Sequence, residues 1–342
     1  MPLHPHLLLL LGVAVVGVPA LALAAAAPPR WRSVLVTGAN KGQGHALCRR
    51  LLSEAPDTRV FLCSRDLGRG RDAAERLRDA CGSAENFGER VRVVQLDVTS
   101  DSSVSAAASA VKEELAGGHL YGLASNAGVL WGYSLTDLCD VCATGVARVL
   151  DAFLPLMQPD RGRVAVVSSG LGPLMHGYAS AERQQALRGE GCTWEDTLVP
   201  MMEECLRAYE STTPGERPKA FEALGFPGGP FAEAAPDFHM YGLAKMFADA
   251  DMLSRSRSRP DLRINSVDPG LVYTDLILKM DRYAGKEIGE TGAQTPHEGV
   301  EAALRLLLDD EFEEGDGSGR FYQMSKDKTR LVSSSIDALP EK

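Results

Sequence analysis

Tyr241 and Lys245 stand four residues apart in Tyr241-Gly242-Leu243-Ala244-Lys245, one helical turn along a single face. A Lys ammonium beside a phenol lowers the phenol pKa from about 10, which suits Tyr to protonate a carbonyl oxygen near neutral pH. The spacing alone decides little, because Tyr322 and Lys326 repeat it near the C-terminal end. Position separates the two pairs. Tyr241 opens the helix between the fifth and sixth strand-like segments, whereas Tyr322 falls on the last one. Ser168 and Ser169 close the fifth segment. At the carboxyl edge of a parallel sheet, a hydroxyl there can hold a substrate oxygen beside Tyr241; the plainer reading of Ser-Ser is a turn.

A second constellation lies near the start. Thr37-Gly38-Ala39-Asn40-Lys41-Gly42-Gln43-Gly44 joins a clean strand to a helix. Glycines at that junction let the backbone approach a pyrophosphate, whose charge the helix N-terminus stabilises. The spacing Gly-x-x-x-Gly-x-Gly differs from Gly-x-Gly-x-x-Gly, and its place after a strand is what makes it a nucleotide cradle rather than a tight turn. The second segment ends in Ser64-Arg65-Asp66. Arg65 and Lys41 put two cations where a ribose 2′-phosphate would sit, which points to NADP(H) rather than NAD(H), with Asp66 as a neighbour that argues the other way.

The elements that must position these groups are legible as alternating short apolar runs and helical stretches. Strands are expected at Ser33–Thr37, Arg59–Cys63, Val91–Leu96, Leu120–Ser125, Arg163–Ser168 and Arg263–Asp268, with a seventh at Arg320–Gln323. Helices are expected at Gly44–Ser53, Gly68–Cys81, from an Asp101 or Ser102 cap to Leu115, and over about Thr136–Met157. This alternation predicts an α/β fold, a doubly wound, Rossmann-type parallel sheet of about seven strands with helices on both faces. Residues 170–240 interrupt it as an insertion. Within it Trp194, Leu198, Met201, Cys205 and Tyr209 recur at helical spacing, the stripe of a helix packed on the body, and Gly225–Pro236 reads as loop.

Composition narrows the classes. The 342 residues carry 36 Lys+Arg against 46 Asp+Glu, a formal charge of −10, so phosphate backbones would be repelled and nucleic acid is a poor partner. With 44% hydrophobic and 24% charged residues the chain can bury a core. Seven cysteines, scattered without metal-ligand or disulfide spacing, read as small buried apolar residues in a reducing compartment, and no metal site is expected. Residues 1–27 contain no Asp, Glu, Lys or Arg, and Leu7–Ala27 is an unbroken run of apolar residues, Gly and Pro. That run is long enough to anchor in a membrane, with Arg30 and Arg32 leaving the body in the cytosol, at the endoplasmic reticulum or another membrane. It also fits a signal peptide cleaved on the secretory pathway, although a basic n-region is missing, or the start of a plastid presequence. The domain plan is therefore a signal peptide or anchor at 1–27, one domain over 30–330 and a tail at 331–342.

Taken together, the motifs resemble the short-chain dehydrogenase/reductase family. Thr37–Gly44, Asp97-Val98, Asn126-Ala127-Gly128, Ser169, Tyr241 with Lys245, and Pro269-Gly270 with Thr274 follow that family's order over about Ser33 to Lys326. Within it the chain is similar to the monomeric, NADPH-dependent carbonyl reductases through Asn40-Lys41-Gly42, Ser64-Arg65-Asp66 with Arg69-Gly70, Arg183-Gln184-Gln185 in the insertion, and Thr291–Pro296. The resemblance implies reduction of an aldehyde, ketone or quinone by hydride from the nicotinamide, with Tyr241 protonating the oxygen. It implies that Lys245 binds the nicotinamide ribose and lowers the Tyr241 pKa, and that Ser169 orients the carbonyl. Asp97 would meet the adenine and Thr274 the carboxamide side. The insertion implies a monomer, because it would cover the helix face that other members use to dimerise.

Three departures accompany the resemblance. Cys142 replaces an Asn whose backbone carbonyl helps hold a relay water, Ser125 replaces the first Asn of Asn-Asn-Ala-Gly, and Leu271 stands where a Trp is usual. Two alternatives stay open: a membrane-anchored reductase or dehydrogenase of a lipid, retinoid or steroid, suggested by the apolar N-terminus, and an NADPH-binding protein with little catalysis because of Cys142.

Overall fold

The computed structural model describes residues 31–81, 86–280, 283–309 and 317–334. Eight strands form one sheet: β1 Arg32–Val36, β2 Thr58–Ser64, β3 Val91–Gln95, β4 Leu120–Ser125, β5 Arg163–Val167, β6 Arg263–Asp268, β7 Phe321–Met324 and β8 Leu331–Ser334. Their order is β3-β2-β1-β4-β5-β6-β7-β8, parallel throughout except for the last pair. The order reverses between β1 and β4, and the crevice outside their carboxyl ends is where such sheets bind ligands.

Strand residues alternate between two cores, as a pleated sheet covered on both faces requires. Leu35, Phe61, Leu123 and Val164 face one layer with Val111, Leu150, Phe153 and Met252. Val34, Val36, Val60 and Leu62 face the other with Leu47, Leu51, Leu77 and Leu307. A third core lies under the insertion. Trp194, Leu198, Met201 and Cys205 are buried there with Leu138, Cys142, Leu243 and Phe247, while Tyr209 packs partly buried against them. The helical stripe therefore packs on the body, against the long helix Pro236–Ser258 that carries Tyr241 and Lys245.

Several local expectations are corrected. The sheet has eight strands, because Leu331–Ser334, expected as tail, pairs antiparallel with β7. Four residues with only two apolar ones give no strand-length apolar run to read; the hairpin turn, with Lys328 at φ 58°, makes the pairing. The cap of the helix Asp101–Leu115 is Ser100, whose side chain accepts from the Ser103 N–H. Gly225–Pro236 is not all loop, since Gly229–Ala234 forms a helix that Pro230 enters in its first turn. The stretch before β5 is Leu135–Cys139, a π-helical segment Asp140–Thr144, then Gly145–Phe153. All seven cysteines are free, six buried and Cys81 half-buried. The N-terminal segment 1–27 lies outside the described residues, and none of the described helices is long and apolar enough to cross a membrane.

Candidate active site

The carboxyl ends of β1, β2, β4, β5 and β6 open onto one cleft of about 1000 Å³. At its base Thr37, fully buried at the end of β1, ties that end to β4: its hydroxyl accepts from the N–H groups of Asn126 (2.9 Å) and Ala127 (3.0 Å). The Asn126 amide returns a bond to the Thr37 carbonyl at 2.9 Å. Gly38 (φ 64°) and Gly42 (φ 56°) take left-handed conformations that side chains resist. A Cβ on Gly44 would come within 2.6 Å of both the Gly38 carbonyl and the Asn126 amide. The glycines therefore leave bare backbone at the N-terminus of helix Gly42–Glu54, a surface that fits a pyrophosphate.

Gly38, Asn40, Lys41, Gly42, Gln43, Arg65, Asp97, Val98, Asn126, Ala127, Gly128, Ser169, Tyr241, Lys245, Pro269, Gly270 and Thr274 all line this cleft. Gly44 is the one expected site residue behind the wall rather than on it, where it makes room for Asn126. At the ribose end Arg65 is exposed, and Asp66 is occupied locally: its carboxylate accepts from the Arg69 N–H at 2.8 Å and caps the following helix. Two cations and a committed carboxylate suit a 2′-phosphate. Lys41 is itself ion-paired with Asp275 across the cleft. Asp97 accepts from the Thr99 hydroxyl at 2.7 Å and from its N–H, which holds the turn after β3.

The chemistry-bearing groups meet at the ends of β5 and β6. Lys245 is buried and its Nζ donates to the Val167 carbonyl at 2.7 Å, with the ammonium 5.5 Å from the centroid of the Tyr241 ring. Burial pushes the Tyr241 phenol well above its usual 10, and Cys142, Asp268 and Asp249 add to the rise. Lys245, aimed at a carbonyl, is not among the groups that shift the phenol. Nor does Tyr241 open its helix, which starts at Pro236. Ser169 is half-buried and its Oγ accepts from the Leu171 N–H at 3.3 Å. Tyr322, the other Tyr-x-x-x-Lys tyrosine, is buried in β7 and does not line the cleft.

Cys142, in the π-helical segment, is fully buried and its thiol donates to the Val129 carbonyl at 3.5 Å. A Cβ on Gly128 would lie 3.8 Å from that sulfur and 3.9 Å from Lys245 Nζ, so Cys142 stands beside the reacting groups. Sequence reasoning missed the apolar lip of the cleft. Trp131 and Phe238 cross edge to face at 5.1 Å, and Tyr133, Leu271 and Met280 line the same mouth. It also missed Asp249 and Asp268. Their signal is two carboxylates in apolar surroundings, one of them a helical turn beyond Lys245.

Comparison with known proteins accords with this geometry. Residues 32–182 match the family model for short chain dehydrogenase. Rat carbonyl reductase [NADPH] 3 is 30% identical over 78% of this chain and 89% of its own. The (+)-neomenthol dehydrogenase of Arabidopsis thaliana is 28% identical over 81% of this chain and 91% of its own. Among solved structures, menthone neomenthol reductase from Mentha piperita superposes with a TM-score of 0.64 at 25% identity, covering 86% of this chain and 98% of that one. Salutaridine reductase from Papaver somniferum, at 23% identity, shares the fold with a TM-score of 0.66 over 85% and 99%. The chain belongs to the short-chain dehydrogenase/reductase family.

Proposed function

We propose that this oxidoreductase of CH–OH/C=O groups works as an NADPH-dependent reductase of a small-molecule aldehyde, ketone or quinone, as a monomer, with Tyr241 as the proton donor. The observation that carries the reading is the convergence of Tyr241, Lys245 and Ser169 on the cleft whose other end is the glycine cradle with Arg65 and Lys41. When bound, the nicotinamide supplies the hydride. A proton donor must keep its proton until the carbonyl oxygen becomes basic, and a phenol pushed up by burial does so across the neutral range. Ser169 orients the carbonyl oxygen toward that phenol, and Lys245 holds the ribose side from its anchor on Val167. Gly38, Asn40, Gly42 and Gln43 hold the pyrophosphate, and Arg65 with Lys41 the 2′-phosphate. Asp97, Val98 and the Asn126–Gly128 turn bound the adenosine half, while Pro269, Gly270 and Thr274 bound the nicotinamide.

The test is Tyr241→Phe. NADPH oxidation with menadione or menthone is expected to fall at least a hundredfold, while NADPH still quenches Trp fluorescence with an unchanged dissociation constant. Retained turnover, or no turnover by the wild type, defeats the assignment. A second reading concerns the substrate. The lip of Trp131, Tyr133, Phe238, Leu271 and Met280 offers apolar surface without a charge, which favours a bulky apolar carbonyl such as a terpenoid, steroid or retinoid ketone. Higher kcat/KM for menthone than for small polar ketones would support it.

A further inference from the structure

The Ser169 hydroxyl is the least tethered side chain of a loop held on both sides. The Val167 carbonyl accepts from Lys245 Nζ at 2.7 Å. Ser168 Oγ donates to Asp249 Oδ2 at 2.9 Å. The Asp268 carboxylate stands against Gly170, where its Oδ2 would lie 3.1 Å from a Cβ. Among the described residues the Ser169 hydroxyl meets only the Leu171 N–H, at 3.3 Å.

Asp249 is completely buried and accepts a second bond, 2.6 Å from Ser266 Oγ in β6. One carboxylate thus joins β5, β6 and the helix that carries Tyr241 and Lys245, and the three residues Tyr241, Lys245 and Asp249 follow one another at single-turn spacing. Gly172 accommodates it: a Cβ there would stand 2.2 Å from Asp249 Oδ2. Asp268 flanks the loop on the other side: its Oδ1 accepts from the Gly270 N–H at 2.9 Å and its Oδ2 lies against Gly170. Burial pushes the Asp249 carboxyl up to about 7, against the pull of both hydroxyls and of Lys245. An apolar side chain would avoid that desolvation cost. What the carboxylates supply instead is direction, since an acceptor fixes the rotation of the hydroxyl and N–H groups aimed at it.

We propose that Asp249 and Asp268 are positioning residues that clamp the Ser168–Gly170 loop and thereby set the Ser169 hydroxyl against the carbonyl that Tyr241 protonates. This rests on the active-site reading above, and the experiment separates the two. The full chain is assayed with NADPH and menadione as the wild type, Ser169→Ala, Ser168→Ala, Asp249→Leu, Asp249→Asn, Asp268→Leu and the Ser168→Ala/Asp249→Leu double variant. Ser169→Ala is expected to lower kcat at least tenfold. Ser168→Ala, Asp249→Leu and Asp268→Leu are expected to follow it, with the NADPH dissociation constant held within twofold by fluorescence titration. Asp249→Asn keeps an acceptor for Ser168 and is expected to recover kcat to within threefold of wild type. The double variant is expected to be no slower than Asp249→Leu alone, because both substitutions cut one tether. Ser168→Ala removes that tether with the smaller change and decides the matter should Asp249→Leu not fold. If Ser169→Ala is slow while Ser168→Ala and Asp268→Leu turn over at the wild-type rate, the clamp is overturned and the active site stands. If kcat and NADPH affinity fall together in the variants, the carboxylates only stabilise the fold. If Ser169→Ala is as fast as wild type, the active-site reading fails and the clamp with it.

Discussion

Lys41 meets Asp275 across the cleft, and the pair shows how one carboxylate can compete with a ligand for a cation. Both side chains are about two-thirds exposed, so the bond itself contributes no more than about 1 kcal/mol. Hydrogen bonding to Lys41 holds the Asp275 carboxyl below its usual range, so it is charged at neutral pH and repels a 2′-phosphate. Asp275→Asn is expected to tighten NADPH about threefold and NADH less, with the gain lost in 0.5 M salt; fluorescence titration at two salt concentrations checks it. The competition was not legible in the sequence, because Lys41 and Asp275 are far apart in the chain. By contrast, Lys41, Arg65, Ser169, Tyr241 and Lys245 could be named one by one, the first three from motifs at strand ends and the last two from a one-turn spacing on a helix. The direction of the Tyr241 shift was not legible, since it depends on how deeply the phenol is buried.

Among the elements, the helix Pro236–Ser258 carries a contradiction within itself. It packs against β5 and β6 through Ala248 and Met252, and yet it buries Asp249 beside them. Burial dominates that carboxyl, with the Ser266 and Ser168 hydroxyls and Lys245 pulling down and Asp268 pushing up, for a net rise from 3.8 to about 7. A carboxyl whose folded pKa is raised stabilises the fold most below its unfolded pKa. That contribution drains away as pH climbs from about 4 through 7, by at most about 4 kcal/mol. Asp249→Asn cannot ionise, so it is expected to gain on the wild type by a few degrees in melting temperature between pH 5 and pH 8. A gap that stays constant across that range would show that the carboxyl does not titrate there. Strand positions were readable because each is a compact apolar run. The Ser100 cap and the short helix Gly229–Ala234 were not, because competing Ser, Asp, Gly and Pro signals sit within two or three residues of each other.

For the molecule as a whole, the charge and the apolar run fall in different parts of the chain. The formal charge of −10 belongs entirely to the residues after 27, and the described body begins at Trp31. The described sheet begins at Arg32, whose N–H donates to the Asp57 carbonyl at 2.9 Å, so a cut before Trp31 leaves every described strand, cleft residue and core in place. An acidic body with apolar residues buried on both faces of its sheet has the core it needs to fold without residues 1–30. A chain starting at Trp31 is therefore expected to melt within about 2 °C of the full chain and to bind NADPH equally, as scanning calorimetry and titration would measure. The two chains should part only in the presence of lipid vesicles, where the full chain sediments with them and the shortened one stays in the supernatant. Loss of cooperative melting in the shortened chain would mean that the first residues complete the fold, and co-sedimentation of both chains would place the membrane contact on the reductase body, with the apolar lip of its cleft as the first surface to test.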